Sequence, residues 1–452
     1  MKPSPSAAFV DVCDLEVGMF IQLDLGWMSH PFPLSSFRLS APDQIATLRS
    51  LGVTRVRWLP RRSDARFASG AVDGEAESPR AATVPAEPPP VATIEAVEAA
   101  APASPAQRAE AVAARERRQR LAVQRETVRN CESQFAEATH ECKKVFDLIG
   151  SQPKKAGSQC EALTQAFLDK MLVGEPDLTL RLLGEGAGDK GALHAINVGV
   201  ISLLMGRVFG MSADDMLDLG VGALMHDVGK AELPERLRFR AEHFTPSEQK
   251  YYEEHVGHGV ATGRRMGLRA GALLVIGQHH EHADGSGFPL HLGSDRLTVA
   301  ARIVALVDRY DNLCNPPLAA KALTPHEALS LLFAQGKHQF DTAILGAFIK
   351  MMGVYPPGSA VQLTDDRYAL VTAVNSTRPL KPRVLVYDPQ MPRDEALLID
   401  LQLTPGLGIR RSLKPLALPR PVLDYLSPRP RTIYFFEPAG VVEPVEALAA
   451  AA

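Results

Sequence analysis

Nine of the thirteen histidines fall between His194 and His291, about a fifth of a 452-residue chain, where an even spread would put about three. They stand on or at the ends of segments with a helical hydrophobic period, not in a polyhistidine tract. Adjacent imidazoles at the end of an apolar helix cost solvation if they are merely buried, and a shared cation is an obvious compensation. This clustering constrains the fold more than any bulk property does.

Bulk properties mainly exclude. With 49 basic and 52 acidic side chains and a formal charge of −3, nothing pulls the chain towards a nucleic acid polymer or an anionic membrane. Five scattered cysteines without a CxxC pair argue against a disulfide framework or zinc knuckle and fit a reducing compartment. The start, MKPSPSAAFV, lacks a signal-peptide pattern, and the apolar window Gly191 to Gly206 contains His194 and Asn197 and is too short to span a bilayer. The expectation is a cytoplasmic, soluble protein.

The pattern divides the chain into five stretches. Residues 1–70 read as a small mixed α/β domain, with GMFIQLDL and VTRVRWL as strands and PDQIATLRSLG as a helix. Residues 71–105 turn abruptly to Ala, Pro, Glu and Val, the composition of a disordered linker. Residues 106–154 form a connecting helix in which Val128, Cys131, Phe135, Ala138, Cys142, Val145 and Ile149 recur at spacings of three and four. That seam suits docking on the neighbouring domain, with a coiled-coil homodimer as the second expectation. Residues 155–352 read as an all-helical domain: Ser212, Thr245 and Thr324 each stand as capping hydroxyls three residues before an acid. Residues 353–452, with AVQLTDD, YALVTAV, RVLVYD and TIYFFEP, read as a β-rich extension. The fold class expected is mainly α, with smaller mixed and β-rich parts at the two ends.

Seven residues of the helical domain are candidate ligands. His226 and Asp227 are adjacent in MHDVGK, so they can serve one centre only near a helix end, where a carboxylate could bridge two ions; alternatively the segment is simply a helix terminus closed by Gly229. His194 lies on an apolar helix and, taken alone, reads as a hydrogen-bonded core residue. His255 and His258 share a face, and His255 is the favoured ligand. His279 and His280 end the helix GALLVIGQ. Asp308, in TVAARIVALVDRYDNL, must be paired or ligated, and Asp311 is read as its exposed neighbour one turn on. Five imidazoles and two carboxylates without thiolate suit two divalent ions, whether iron, manganese, nickel or zinc.

The order H…HD…H…HH…D followed by DGSGFP resembles the HD-GYP family, a branch of the HD-domain phosphohydrolases that hydrolyses the bacterial messenger cyclic di-GMP. The resemblance spans roughly residues 160–350, and the flanking regions are similar to extensions that some members carry. It implies an enzyme, a two-metal cyclic di-GMP phosphodiesterase giving pGpG, with GMP left open as the end product. His194, His226, Asp227 and Asp308 would hold one ion, and Asp227, His255, His279 and His280 the second. Asp227 and Lys230 would act in catalysis, with Lys230 on the substrate phosphate. Asp284, Gly285, Gly287, Phe288 and Pro289 match the family's DGxGYP loop, which would contact substrate and offer a surface to other cyclic di-GMP signalling proteins.

The departures from that pattern are specific. Phe288 stands where the family has Tyr; Lys190 stands where some members place a Glu that serves a third ion, so two are expected. A DRPYR-like stretch whose basic residues hold the dinucleotide is replaced by NLCNPPLAAKAL, in which only Lys321 is basic. This loss should weaken or alter substrate binding more than it affects the metal site. The alternatives are a cyclic-dinucleotide sensor or docking module without turnover, and a phosphohydrolase of another nucleotide.

Overall fold

The computed structural model describes residues 8–25, 29–30, 32, 36–60, 63–68, 105–172, 178–184, 189–238, 244–375, 378–428 and 431–438. The expected linker, residues 71–105, lies outside them but for its last residue. Two compact units are present, one of residues 1–25 and 34–122, the other of residues 26–33 and 123–452.

The first unit is a four-stranded antiparallel sheet in the order β1 (Ala8–Asp11), β4 (Arg55–Trp58), β2 (Phe20–Gln22), β3 (Ser36–Arg38). Helix α1 (Pro42–Ser50), with Pro42 at its first turn, buries Ile45 and Leu48, and Val12, Ile21 and Val56 of the same unit are buried too. The short α2 (Ala65–Ala68) follows, and α3 (Pro105–Leu148) crosses from the first unit's residues into the second's.

In the second unit the seam of α3 is filled from within the chain. Cys131, Phe135, Ala138, Cys142 and Val145 are buried in the main core, and Phe135 meets Phe435 edge-on at 5.8 Å. Docking is therefore the observed use of this face, and Phe135 is not offered to a second copy. Helices α4 (Pro153–Leu172), α5 (Lys190–Val208), α6 (Ala213–Met225), α7 (Pro246–Met266), α8 (Ala270–Gln278), α9 (Val299–Cys314), α10 (Pro325–Gln335) and α11 (Thr342–Met352) build the helical body. α5 is buried almost all round and packs against α6 and α9. The expected caps form: Ser212, Thr245 and Thr324 accept from the amides of Asp215, Glu248 and Glu327, at 3.2 Å each. Such caps contribute about 1 kcal/mol each.

Residues 155–352 are not all-helical, contrary to the expectation from the sequence. LTLRL, residues Leu178–Leu182, forms β5, which joins the C-terminal strands in one seven-stranded sheet. The main path runs β10 (Ile409–Leu413), β6 (Ala360–Leu363), β7 (Tyr368–Asn375), β5, β11 (Tyr434–Pro438). β8 (Arg383–Val386) and β9 (Ile399–Asp400) branch from β7, and the short α12 (Arg420–Leu426) precedes β11. A buried bidentate pair from Arg181 to Glu437, at 2.6 and 2.5 Å, locks β5 to β11. Tyr434, Phe435 and Phe436 of β11 enter the same apolar core as α4 and α5. The β-rich extension thus shares the core of the helical body.

Candidate metal centre

Each candidate ligand is delivered by a helix or helix end. α6 stops at Met225, His226 caps it, and Asp227 begins a tight turn over Val228–Glu232. This places the adjacent pair at a helix end, the one arrangement that lets both side chains face a common point. Gly229 allows that turn to press on α7: a Cβ there would run into the carbonyl oxygen of His255 and the amide nitrogen of Gly259. α8 ends at Gln278, presenting His279 and His280. α5 supplies His194, and α9 supplies Asp308.

The seven residues converge in two groups that share Asp227: His194, His226, Asp227 and Asp308, and Asp227, His255, His279 and His280. Within each group one ligand atom per residue lies within 4.8 Å of all the others. The two oxygens of Asp227 face different groups. Oδ2 is 3.7 Å from His194 Nε2 and 3.5 Å from His226 Nε2, while Oδ1 is 3.7 Å from His255 Nε2 and 3.6 Å from His279 Nε2. Asp308 Oδ1 completes the first group, 3.2 and 3.4 Å from His194 and His226. His258, the alternative to His255, belongs to neither group.

These atoms fit cations by their hydrogen bonding. Nδ1 of His226, His255 and His279 each lies 2.6–2.8 Å from the carbonyl three residues earlier, of Ala223, Tyr252 and Ile276. A carbonyl only accepts, so Nδ1 carries the proton and Nε2 turns its lone pair inward. The inward atoms of the second group, His255, His279 and His280 Nε2 with Asp227 Oδ1, are buried without a hydrogen-bond partner. Four buried polar atoms left so are costly unless a cation satisfies them. Nε2 of His194 and of His226 stand 3.1 Å apart, again a place for shared positive charge.

The local field agrees. Burial works to keep the His194 imidazole neutral, yet Asp308 and Asp311 outweigh it and raise its pKa to about 10. Around His255 burial dominates and pushes the pKa down to about 3, and it holds His280 well below its ordinary value, so both stay in the neutral, ligating form. Burial opposes ionisation of Asp227 and Asp308, but Lys230 and His226 for the former, and His194 and His226 for the latter, hold them well below the usual carboxylate range.

Several residues carry roles that the sequence did not reveal. Asp311 is buried, not exposed: its Oδ2 accepts from His194 Nδ1 at 2.6 Å, and its Oδ1 accepts from Asn197 and Asn315 at 2.8 Å each. A usable signal was present, since His194 and Asn197 lie one turn apart on an apolar helix, as do Asp311 and Asn315. Glu281 is buried and accepts from the amides of Leu290 at 2.6 Å and Leu292 at 2.9 Å, stapling the loop that follows it.

That loop packs on the second group. Asp284 accepts from the Ser286 amide at 2.9 Å, and Gly285 adopts φ +75°. Gly287 lies so close to the main chain of residues 280–282 that a Cβ there would clash. Phe288 sets its ring 4.6 Å from that of His280, and its bond to Pro289 is cis. A cavity of about 510 Å³ opens on the first group, lined by His194, His226, Asp227 and Lys230 among others. Asp284, Gly285, Gly287, Phe288 and Pro289 are not part of its lining. Lys230 sits 2.5 Å from Asp227 Oδ2 and over the Tyr252 ring.

Residues 186–344 match the family described as "HD domain", and residues 9–160 match a "Domain of unknown function (DUF3391)". Over 386 residues the chain is 25% identical to the cyclic di-GMP phosphodiesterase PA4108 of Pseudomonas aeruginosa, covering 84% of each. Residues 186–344 are thus an HD domain, in a chain similar to a cyclic di-GMP phosphodiesterase. It is also 29% identical over 150 residues to the cyclic di-GMP phosphodiesterase response regulator RpfG of Xanthomonas campestris, covering 32% of this chain and 39% of that one. Among solved structures, the HDG"Y"P protein Bd1817 of Bdellovibrio bacteriovorus aligns over 76% of this chain and 98% of its own, with 12% identity and a TM-score of 0.38.

Proposed function

We infer that this protein is a metal-dependent phosphodiesterase of the HD-GYP type that hydrolyses cyclic di-GMP, with pGpG or GMP as the end product. The observation that carries the reading is the shared carboxylate: one side chain, Asp227, turns an oxygen to each of two ligand groups inside an HD domain. His194, His226, Asp227 and Asp308 would hold one divalent ion, and Asp227, His255, His279 and His280 the other. We take the ions to be iron or manganese; the mixed nitrogen and oxygen donor set fits nickel and zinc as well. Such a pair of ions lowers the pKa of water at neutral pH and offsets the charge that develops on phosphoryl oxygens.

The remaining chemistry belongs to the chain. Asp311 takes the Nδ1 proton of His194 in a hydrogen bond, which fixes the ring's tautomer and orientation. Lys230 lines the cavity and carries its ammonium to Asp227, in reach of a phosphate held there. The cavity's volume falls within the range of small-molecule sites, about 300–1,000 Å³. Phe288 supplies an aromatic wall behind His280 without a hydroxyl. The test is hydrolysis of cyclic di-GMP by protein loaded anaerobically with Fe²⁺ or Mn²⁺, beside Asp227→Ala. Linear product from the wild type and none from the variant is expected. Bound metal without product from either ion would sink the enzyme reading in favour of a nucleotide-binding module.

A further inference from the structure

We propose that Arg431, which lies well beyond the residues matching the HD domain, is a substrate-binding residue that grips the phosphate of the cyclic dinucleotide not being cut. The inference rests on the activity proposed above and names the contact that replaces the basic residues missing from NLCNPPLAAKAL.

Five cationic side chains line the cavity: Lys190, Lys230, Arg238, Arg265 and Arg431. Three are engaged. Lys230 pairs with Asp227 at 2.5 Å, Arg265 reaches Glu232 at 3.4 Å, and Arg238 folds back on the carbonyls of Leu233 and Ala231 at 3.1 and 3.4 Å. Among the described residues no carboxylate pairs with Lys190 or Arg431. Lys190 is exposed at the first residue of α5, whereas Arg431 is half-buried.

The backbone beside Arg431 is held with unusual thoroughness. The carbonyl of Thr432 accepts from the side-chain amides of both Asn197 and Asn315, at 2.8 Å each. Its amide donates to Asn315 Oδ1 at 2.8 Å, and the amide of Tyr434 donates to Asn197 Oδ1 at 2.8 Å. Both asparagines also donate to Asp311, which holds His194. An unbroken hydrogen-bonded path therefore runs from a candidate ligand to the residue next to Arg431. Fixing the main chain in this way reduces the ordering cost of using the side chain in binding.

The substrate chemistry fits what the cavity offers. A cyclic dinucleotide carries two phosphodiesters, and when one lies at the ligand groups the other still bears a negative charge. A planar guanidinium can meet two phosphate oxygens at once, which an ammonium cannot. Phe146, Ile149, Pro317 and Ile433 line the same cavity and give the purine rings apolar surface.

The experiment compares wild type, Arg431→Ala and Arg431→Lys, all manganese-loaded. KM and kcat are measured for cyclic di-GMP, binding of its bis-phosphorothioate analogue is followed by calorimetry, and thermal unfolding is monitored. In the alanine variant, KM and the analogue's Kd should rise between about tenfold and a hundredfold, with kcat falling much less. Lysine should recover part of the loss, and the unfolding midpoint should stay at the wild-type value. An unchanged KM and Kd in an active alanine variant would overturn the inference and leave the proposed function standing. A lowered kcat with unchanged KM and a lowered midpoint would also overturn it, assigning Arg431 to structure. Absence of both turnover and analogue binding in the wild type would remove the proposed function and this inference together.

Discussion

Asp311 Oδ2 accepts a 2.6 Å hydrogen bond from His194 Nδ1, and the carboxylate that does so is buried within α9, one turn beyond Asp308. It orients a ligand without belonging to either ligand group. Asp311→Ala should therefore weaken metal binding between about tenfold and a hundredfold, the usual loss for a partner of a ligating histidine. Competition with a chromophoric chelator gives the affinity directly. Asp311→Asn keeps an acceptor oxygen and should lose less; equal affinity in all three proteins would contradict this role.

His255 meets only Oδ1 of Asp227 and belongs only to the second group. Elemental analysis of gel-filtered His255→Ala should thus find about one ion per chain, against about two for the wild type. Asp227→Ala should retain less metal than either. Full metal content in His255→Ala would refute the division into two groups.

Gly229 is where the Asp227 turn presses on the main chain of α7, and both atoms that a Cβ would meet are backbone. Backbone cannot swing aside as a flexible side chain can, so Gly229→Ala should destabilise the fold by about 1–3 kcal/mol or more. It should also push Asp227 and His255 apart. Urea unfolding measures the first effect, and metal content the second.

Lys170 gives a pH dependence remote from the ligands. Its buried ammonium donates to the carbonyls of His30 and Phe32 at 2.8 and 3.1 Å. Burial pushes its pKa down to about 7, against the opposing pull of Glu137 and Asp169. Below that pH the amine is charged in folded and unfolded chains alike, and the folded chain bears the cost of burying it. Above it the folded chain sheds a proton that the unfolded chain keeps up to its ordinary value of 10.5, so stability rises with pH through this window. Urea midpoints should climb between pH 7 and 9 in the wild type, and this slope should flatten in Lys170→Met.

The helices and their starts were legible in the sequence because caps and hydrophobic periods are local. So was the cluster of candidate ligands, because burying His226 next to Asp227, or His279 next to His280, makes little sense without a shared partner. Strand β5 shows the limit. LTLRL alternates as a half-exposed strand should, but it is only five residues long and its Arg181 finds Glu437 from 256 residues away. Asp311 was misread for a related reason: its partners Asn197 and Asn315 were visible, while the backbone of Thr432 that completes the cluster carries no sequence signature.

The placement of β11 sets assembly against the order of synthesis. A nascent chain emerging as far as Met352 already has all seven candidate ligands, yet β5 lacks both of its neighbours and Asn197 and Asn315 have no main chain to grip. The part of the molecule that carries the candidate ligands is translated early, ahead of the last described strand that completes its sheet. A gene cut where the HD-domain match ends, at residue 344, would encode the ligands but not the strand that finishes their surroundings.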